Sequence, residues 1–221
     1  MNFLAHDYVL PWGSTDAARV GSALPDLWPF LPRRSLPLVV LRKLREVPGD
    51  PQVAALAAGI DSHLRSDAAF HGHPEFRRRV ELLTPHVVRA WPGLRHGTMA
   101  AHVLVEMLLD RWLIRQYPSR LDQYYAAFSA DVIDLVCAWT ASDQASSLAL
   151  RRMLHGFVES GFLRDYAQPT GLALRFLRTV GRTPFGADPP PAHTIAALVD
   201  SMDAELDAGS SALLDDVRAS A

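Results

Sequence analysis

The sequence predicts an all-α fold, a single-domain helical bundle. Apolar residues recur with the 3.6-residue period of helices along the chain, and no segment shows the alternating pattern of a strand. Proline and glycine residues divide this pattern at intervals that suit helices. The chain has 221 residues, of which 49% are hydrophobic, so it is long enough to bury one core. One all-helical domain over residues 1–221 is therefore expected.

Proline residues set the predicted boundaries in the first half of the chain. Ser14 or Thr15 can cap a second helix that ends near Leu24, and Pro25 then opens a proline-rich turn that contains Asp26. The turn PGDP precedes a long helix. The predicted helices of this half are 1–10, 15–24, 36–46, 52–70, 74–91 and 97–117.

The second half of the chain shows the same periodicity. Pro169 begins one predicted helix, which ends at Gly181 and is followed by the proline-rich loop 186–193. An amphipathic helix finishes the chain. The predicted helices of this half are 119–140, 144–166, 169–181 and 193–219.

Composition argues against several classes of function. The net charge of −2 gives no support for bulk binding to nucleic acid or to an anionic membrane. Cys137 is the only cysteine, so a disulfide and a thiolate-rich metal site are excluded, and its apolar surroundings predict a buried, inert thiol. No signal-peptide pattern and no apolar run of ~20 residues is present, so a soluble cytoplasmic protein is expected.

Several catalytic motifs are absent from the sequence. It contains no GxGxxG, no P-loop, no GxSxG and no HExxH. Dinucleotide binding, Walker-type NTPase activity, α/β-hydrolase chemistry and zincin chemistry therefore have no support.

Two rows of polar side chains with a four-residue period are the main functional signal. His63, Asp67 and His71 form the first row, and side chains four residues apart stack on one face of a helix. Imidazole and carboxylate groups at this spacing are a common ligand pair for Zn²⁺, Mn²⁺ or Fe²⁺. His73 precedes Pro74 and is expected in a turn rather than at a metal.

The second row is His102, Glu106 and Asp110. It lies on a helix that is apolar almost all round and is therefore expected to be buried. Buried carboxylates need partners, and either a metal ion or arginines such as Arg111 and Arg115 would satisfy them. The sequence alone leaves both alternatives open. If the rows face each other, they form a metal site that residues from the N-terminus complete.

The remaining histidines and basic residues have simpler interpretations. Arg77, Arg78 and Arg79 are expected on a solvated helix face. Isolated histidines are expected to be surface or satisfied core residues, namely His86, His96, His155 and His193.

Six segments together resemble the acyl carrier protein phosphodiesterases, and they cover most of the chain. They are MNFLAH, GSALPDL, GIDSHLRSDAAFHGHPEF, HVLVEMLLDRWL, MLHGFVESGFLRDY and LRFLRTVGRTP. That family is all-α and is related to the HD-domain phosphohydrolases. The resemblance implies a divalent metal, commonly Mn²⁺, and release of 4′-phosphopantetheine from holo-acyl carrier protein.

The resemblance marks His6, Asp26, His63 and Asp67 as site residues. The chain departs from the family at three later positions: it has His71 and His102 where the family has aspartate, and Glu106-Met107 where the family has Asp-His. The substituted residues can still bind metal. A site richer in nitrogen favours Zn²⁺, Fe²⁺ or Ni²⁺ more than an all-oxygen site does.

The predicted function is that of a divalent-metal-dependent phosphohydrolase, a phosphodiesterase. Its predicted ligands are His6, Asp26, His63, Asp67, His71, His102 and Glu106. Asp26 or Asp110 would act as general base, and Arg65 or Arg151 would neutralise phosphate oxygens. Arginines at 77–79 and 151–152 would meet an acidic acyl carrier protein.

Two other classes of function remain open. A helical bundle with rows of histidine and carboxylate can bind iron as an oxidase or oxygenase, although the Glu-x-x-His pair is missing. A non-catalytic helical module would instead pair its acidic residues with arginines.

Overall fold

The computed structural model describes residues 1–31, 37–47, 49–181 and 188–220, and these contain helices and connecting turns but no strand. The prediction of an all-α fold is confirmed. Two short 3₁₀ helices, Trp28–Phe30 and Phe162–Ala167, accompany the α-helices. The α-helices are α1 (Phe3–Val9), α2 (Asp16–Leu27), α3 (Pro37–Arg45), α4 (Pro51–Gly72), α5 (Pro74–Ala90), α6 (Gly97–Gln116), α7 (Pro118–Ala126), α8 (Ala130–Thr140), α9 (Gln144–Ser160), α10 (Pro169–Gly181), α11 (Ala192–Asp207) and α12 (Ser210–Ser220).

Three predicted helices are interrupted where the sequence analysis had them continuous. The 119–140 helix breaks before Ser129, whose hydroxyl caps α8 by accepting from the Val132 N–H at 3.4 Å. Gly161 has a φ of 51° and ends α9 early. Gly209 has a φ of 76° and separates α11 from α12. Glycine adopts these left-handed conformations without a Cβ penalty, which is why the helices end there.

The predicted position of Asp26 in a turn is wrong. Thr15 caps α2 as expected, but the helix continues through Pro25 to Leu27, so Asp26 lies on its last turn. A proline this close to the helix end removes only one internal hydrogen bond, and the Trp28 N–H still reaches the Leu24 carbonyl. The aspartate is therefore held by a helix rather than by a loop.

Two facing glycines allow α2 and α4 to pack unusually closely. A Cβ on Gly21 would lie 2.5 Å from the Leu56 carbonyl oxygen, and one on Gly59 would lie 2.0 Å from that of Ala18. Neither helix can therefore carry a larger residue at this crossing. The contact brings the C-terminal half of α2, with Asp26, against the ligand row of α4.

The central helix of the bundle is α6. Its buried residues cover every side, as the apolar sequence predicted, and include Leu104 and Leu113, both fully inaccessible. Its two arginines point towards α11, where Arg111 binds Asp203 at 2.8 Å and Arg115 binds Asp207 at 3.2 Å. The second ligand row of α6 therefore faces away from these arginines.

Two further sequence expectations can be compared with the fold. Cys137 is buried, as predicted, and burial raises the pKa of its thiol. The solvated face expected at Arg77–Arg79 is wrong for Arg79, which is buried between α5 and α12. It binds the Glu75 carboxylate, the Ala208 carbonyl and the Ser210 hydroxyl. These partners compensate the buried charge of the Arg79 guanidinium. Because this group is buried and already bound, it cannot contact an acidic protein.

Some expected features lie outside the described residues: the first residue of the 36–46 helix, Pro48 of the PGDP turn and the start of the 186–193 loop. Among the described residues, no helix is long and apolar enough to cross a membrane.

Candidate metal centre

The two ligand rows face each other across the space between α4 and α6. The Nε2 atom of His71 lies 3.1 Å from the Nε2 atom of His102 and 3.1 Å from a carboxylate oxygen of Glu106. His102 and Glu106 are themselves 3.1 Å apart. One ligand atom from each of these three residues falls within 4.8 Å of the others, so they form one group of potential metal ligands.

A second group of potential ligands combines α1 with α4. It consists of His6, His63 and Asp67, again with one ligand atom of each within 4.8 Å. The imidazole rings of His6 and His63 stack with their centroids 3.7 Å apart. Asp26 adds a carboxylate from α2, with its oxygens 3.9 Å from His6 Nε2 and 3.8 Å from His63 Nε2. The seven residues that the sequence singled out as ligands therefore lie together.

Asp67 links the two groups. One of its oxygens lies 3.8 Å from His6 Nε2, and the other lies 3.2 Å from His71 Nδ1. The first oxygen also accepts a hydrogen bond from the amino group of Met1 at 2.7 Å, and this amino group lies 3.2 Å from Glu106. A cation thus already bridges the carboxylates of the two groups. A metal ion would compete with this amino group for both of them.

Hydrogen bonds outside the site fix the tautomers of the two buried histidines. His63 Nδ1 donates to the Ser22 carbonyl at 2.7 Å. The Ser66 hydroxyl donates to the His63 carbonyl at 3.1 Å, so it accepts from His6 Nδ1, also at 3.1 Å. Both Nε2 atoms therefore present lone pairs to the carboxylates, and this arrangement of second partners is typical of metal-binding histidines.

Two atoms of the site have unmet bonding capacity. His6 Nε2 and one oxygen of Asp26 are buried and have no hydrogen-bond partner. A nitrogen lone pair that faces carboxylate oxygens is repelled by them unless a proton or a metal cation lies between. Imidazole nitrogens and carboxylate oxygens are also ligands that divalent transition metals accept. The residues present therefore fit a divalent cation.

The surroundings shift the protonation of several site residues. Burial raises the pKa of Asp26 to about 8, and the nearby carboxylates of Glu106 and Asp67 add to this effect. Burial lowers the pKa of His63 to about 4. Hydrogen bonds to Asp67 and then Glu106 raise the pKa of His71 to about 9. In the absence of a metal, Asp26 and His71 therefore hold protons at neutral pH.

Asp110 lies beneath the site rather than in it. It is fully buried, and its two oxygens accept the backbone N–H groups of Ala5 at 2.9 Å and Leu4 at 3.3 Å. These are N–H groups of the first turn of α1, which Asn2 leaves without a side-chain cap. The position of Asp110 is unsuited to the predicted role of general base, because its side chain is fully inaccessible and its oxygens face the backbone of α1. It positions α1, and with it His6.

A pocket of about 770 Å³ lies beside the ligand groups. Asp26 and Glu106 form part of its wall, together with apolar side chains of several helices. Arg175 and Arg178 of α10 also line it. The sequence analysis missed both arginines, because no local pattern relates α10 to the ligand rows.

The two arginines expected at the phosphate do not line this pocket. Arg65 pairs with Asp61 at 3.3 Å, and Arg151 pairs with Asp134, all at exposed or half-buried positions. Arg65 and Arg151 therefore lie outside this pocket, whereas Arg175 and Arg178 line it. His73 caps α5 through its Nδ1 atom, in agreement with the expected turn.

The fold and the site together define an all-α protein with a partly buried cluster of histidine and carboxylate side chains beside a pocket. Comparison of the chain with protein-family models, with curated proteins and with solved structures finds no match. The geometry of the site and the sequence resemblance are therefore the basis for a proposed function.

Proposed function

We propose that the protein is a divalent-metal-dependent phosphodiester hydrolase. The observation that carries the proposal is the pair of ligand groups, His6/His63/Asp67 and His71/His102/Glu106, which Asp67 links beside an open pocket. Two adjacent groups of this kind suit two cations, an arrangement common in enzymes that act on phosphoesters. Bound cations would supply a water of lowered pKa, near ~7, and positive charge for the phosphoryl oxygens.

Asp26 is the residue proposed to handle the proton of the attacking water. It faces both His6 and His63, it lines the pocket, and one of its oxygens has no hydrogen-bond partner. A carboxylate in this position can orient a water molecule towards the pocket and accept its proton. Burial raises the pKa of the metal-free carboxyl to about 8, so Asp26 can act as a base at neutral pH only after bound cations have displaced its proton.

Arg178 is proposed to bind the phosphate or another anionic group of the substrate. It is exposed at the pocket wall and makes no ion pair within the described part of the chain. Arg175 is also at the wall, but its guanidinium binds Asp165 at 2.6 Å and lies over the Phe162 ring. An unpaired guanidinium is the more available partner for an incoming phosphate.

The phosphopantetheine ester of holo-acyl carrier protein is the substrate that the sequence resemblance suggests. We include it in the proposal as one candidate among phosphodiesters, together with Mn²⁺ as the first metal to test. The four histidines of the two groups also make Zn²⁺, Fe²⁺ and Ni²⁺ suitable cations.

The first experiment measures metal content and hydrolysis in the same samples. Purified untagged protein would be analysed by elemental mass spectrometry and assayed with bis(p-nitrophenyl) phosphate. The wild type would be compared with the His63→Ala/His102→Ala double variant, and with His155→Ala, an exposed histidine outside both groups. The proposal expects bound transition metal and hydrolysis in the wild type and the control, and loss of both in the double variant.

The same samples test the two other classes of function. Glu106 and Asp110 do not pair with Arg111 or Arg115, as a non-catalytic module would require, since both arginines bind acidic residues of α11. Metal content and hydrolysis that stay unchanged in the double variant would nevertheless overturn the proposal. Bound iron with oxygen uptake and no hydrolysis would replace it with an oxidase.

A further inference from the structure

The pocket beside the ligand groups has a floor of aromatic side chains. Phe3, Phe157 and Phe162 meet there, with ring centroids 5.4 to 5.8 Å apart. Met107 and Met153 add flexible thioether side chains to the same wall. The volume of about 770 Å³ is in the range of small-molecule sites and exceeds what a phosphate group alone occupies.

Two hydroxyl groups in this wall already donate to backbone carbonyls. Ser160 Oγ donates to the Phe157 carbonyl at 3.0 Å, and Thr179 Oγ1 donates to the Arg175 carbonyl at 3.0 Å. The part of the wall formed by the phenyl rings and methionines offers no hydrogen-bond donor to a nucleobase or sugar, and burying polar atoms unpaired is costly. An apolar group has no such requirement and would be favoured by every contact with the phenyl rings and methionines.

We propose that the pocket binds an alkyl chain, so that the substrate is a phosphodiester with one long apolar substituent. This inference rests on the proposed function and specifies its substrate class. The phosphate would lie near Asp26 and Glu106, and the chain would extend over Phe3 and Phe157, because the Arg175 guanidinium lies over the Phe162 ring. Each buried methylene group would improve kcat/KM by up to about fourfold.

Gly156 offers a way to fill the pocket without disturbing the fold. It lies within α9 and lines the pocket, and a Cβ at this position would meet nothing within 4 Å. Gly156→Leu therefore places an isobutyl group into the pocket, while a helical position prefers leucine to glycine. The matched control is His155→Leu, which adds the same side chain at an exposed position of α9 that does not line the pocket.

The test compares methyl, butyl and octyl esters of p-nitrophenyl phosphate with wild-type protein and both variants in Mn²⁺. We expect kcat/KM to rise from methyl to octyl by on the order of 100-fold in the wild type and in His155→Leu. In Gly156→Leu, the octyl ester should lose most of its advantage over the methyl ester. Equal rates for methyl and octyl esters, or a preference that survives in Gly156→Leu, would overturn the inference while leaving the proposed function intact.

A binding measurement separates failure of the inference from failure of the proposed function. Calorimetry would compare octylphosphonate with methylphosphonate, neither of which needs to be hydrolysed. Selective binding of octylphosphonate that Gly156→Leu abolishes would support the apolar pocket even if no ester reacts. Equal binding of the two phosphonates would contradict it whether or not esters are hydrolysed.

Discussion

The close contact between α2 and α4 makes Gly59→Ala an informative perturbation of the metal centre. The new Cβ would lie 2.0 Å from the Ala18 carbonyl oxygen, whereas real Cβ atoms do not approach within 3.0 Å. The helices must therefore separate locally by at least about 1 Å, because a backbone carbonyl cannot rotate away as a side chain does. The 2.7 Å bond from His63 Nδ1 to the Ser22 carbonyl lies one turn from this contact and should break.

The cost of this substitution can be worked from its parts. Overpacking costs about 1–3 kcal/mol, and loss of the His63 hydrogen bond costs about 1 kcal/mol. The better helix propensity of alanine offsets about 1 kcal/mol. The free energy of unfolding should therefore fall by about 1–3 kcal/mol. Metal affinity should fall as well, because Asp26 on α2 moves away from His63 on α4.

The assay is urea denaturation followed by circular dichroism, with metal affinity measured by calorimetry on the folded protein. Gly72→Ala is the matched control, since it lies on the same helix and a Cβ there meets nothing within 4 Å. The control should keep or slightly raise the unfolding free energy. If Gly59→Ala matched the control in both measurements, the close packing of α2 on α4 would not be what holds the site.

Three further predictions follow from the site. Metal affinity should rise from about pH 6 to about pH 9, and calorimetry should detect net proton release. Raised pKa values of about 8 for Asp26 and about 9 for His71 leave both residues protonated at neutral pH, so a metal must displace their protons. An affinity that does not depend on pH would contradict this prediction. Asp110→Ala should lower the unfolding free energy by about 2–4 kcal/mol in urea titrations, because two backbone N–H groups of α1 lose their acceptor. Asp110→Asn should lower it less, because one acceptor oxygen remains. Equal effects of the two substitutions would argue against the capping role. Arg178→Gln should raise KM for a phosphodiester about tenfold or more. Arg151→Gln is the control and should leave KM unchanged, because Arg151 pairs with Asp134 outside the pocket. The reverse result would indicate that Arg151, and not Arg178, contacts the phosphate.

The sequence marked His6 as a site residue, but it could not identify Asp110 as the residue that holds α1 in place. A row with a period of four on a buried helix shows that Asp110 needs a partner, but it does not show which one. The partner is the N-terminus of a helix more than a hundred residues away in the chain, at Leu4 and Ala5. The same contact delivers His6 to the ligand group of α4.

The sequence by itself determined the all-α class and the composition of the candidate site. Helical periodicity is local, and the four-residue spacing of His63, Asp67 and His71 places them on one face of α4 whatever the rest of the chain does. The tertiary structure decided the helix breaks at Gly161 and Gly209, the helical setting of Asp26, and the pocket with its two arginines. These features depend on how closely the helices pack and on which buried polar groups come into contact. Both the packing and the contacts join residues that are far apart in the sequence, so the local sequence of a single helix does not specify them.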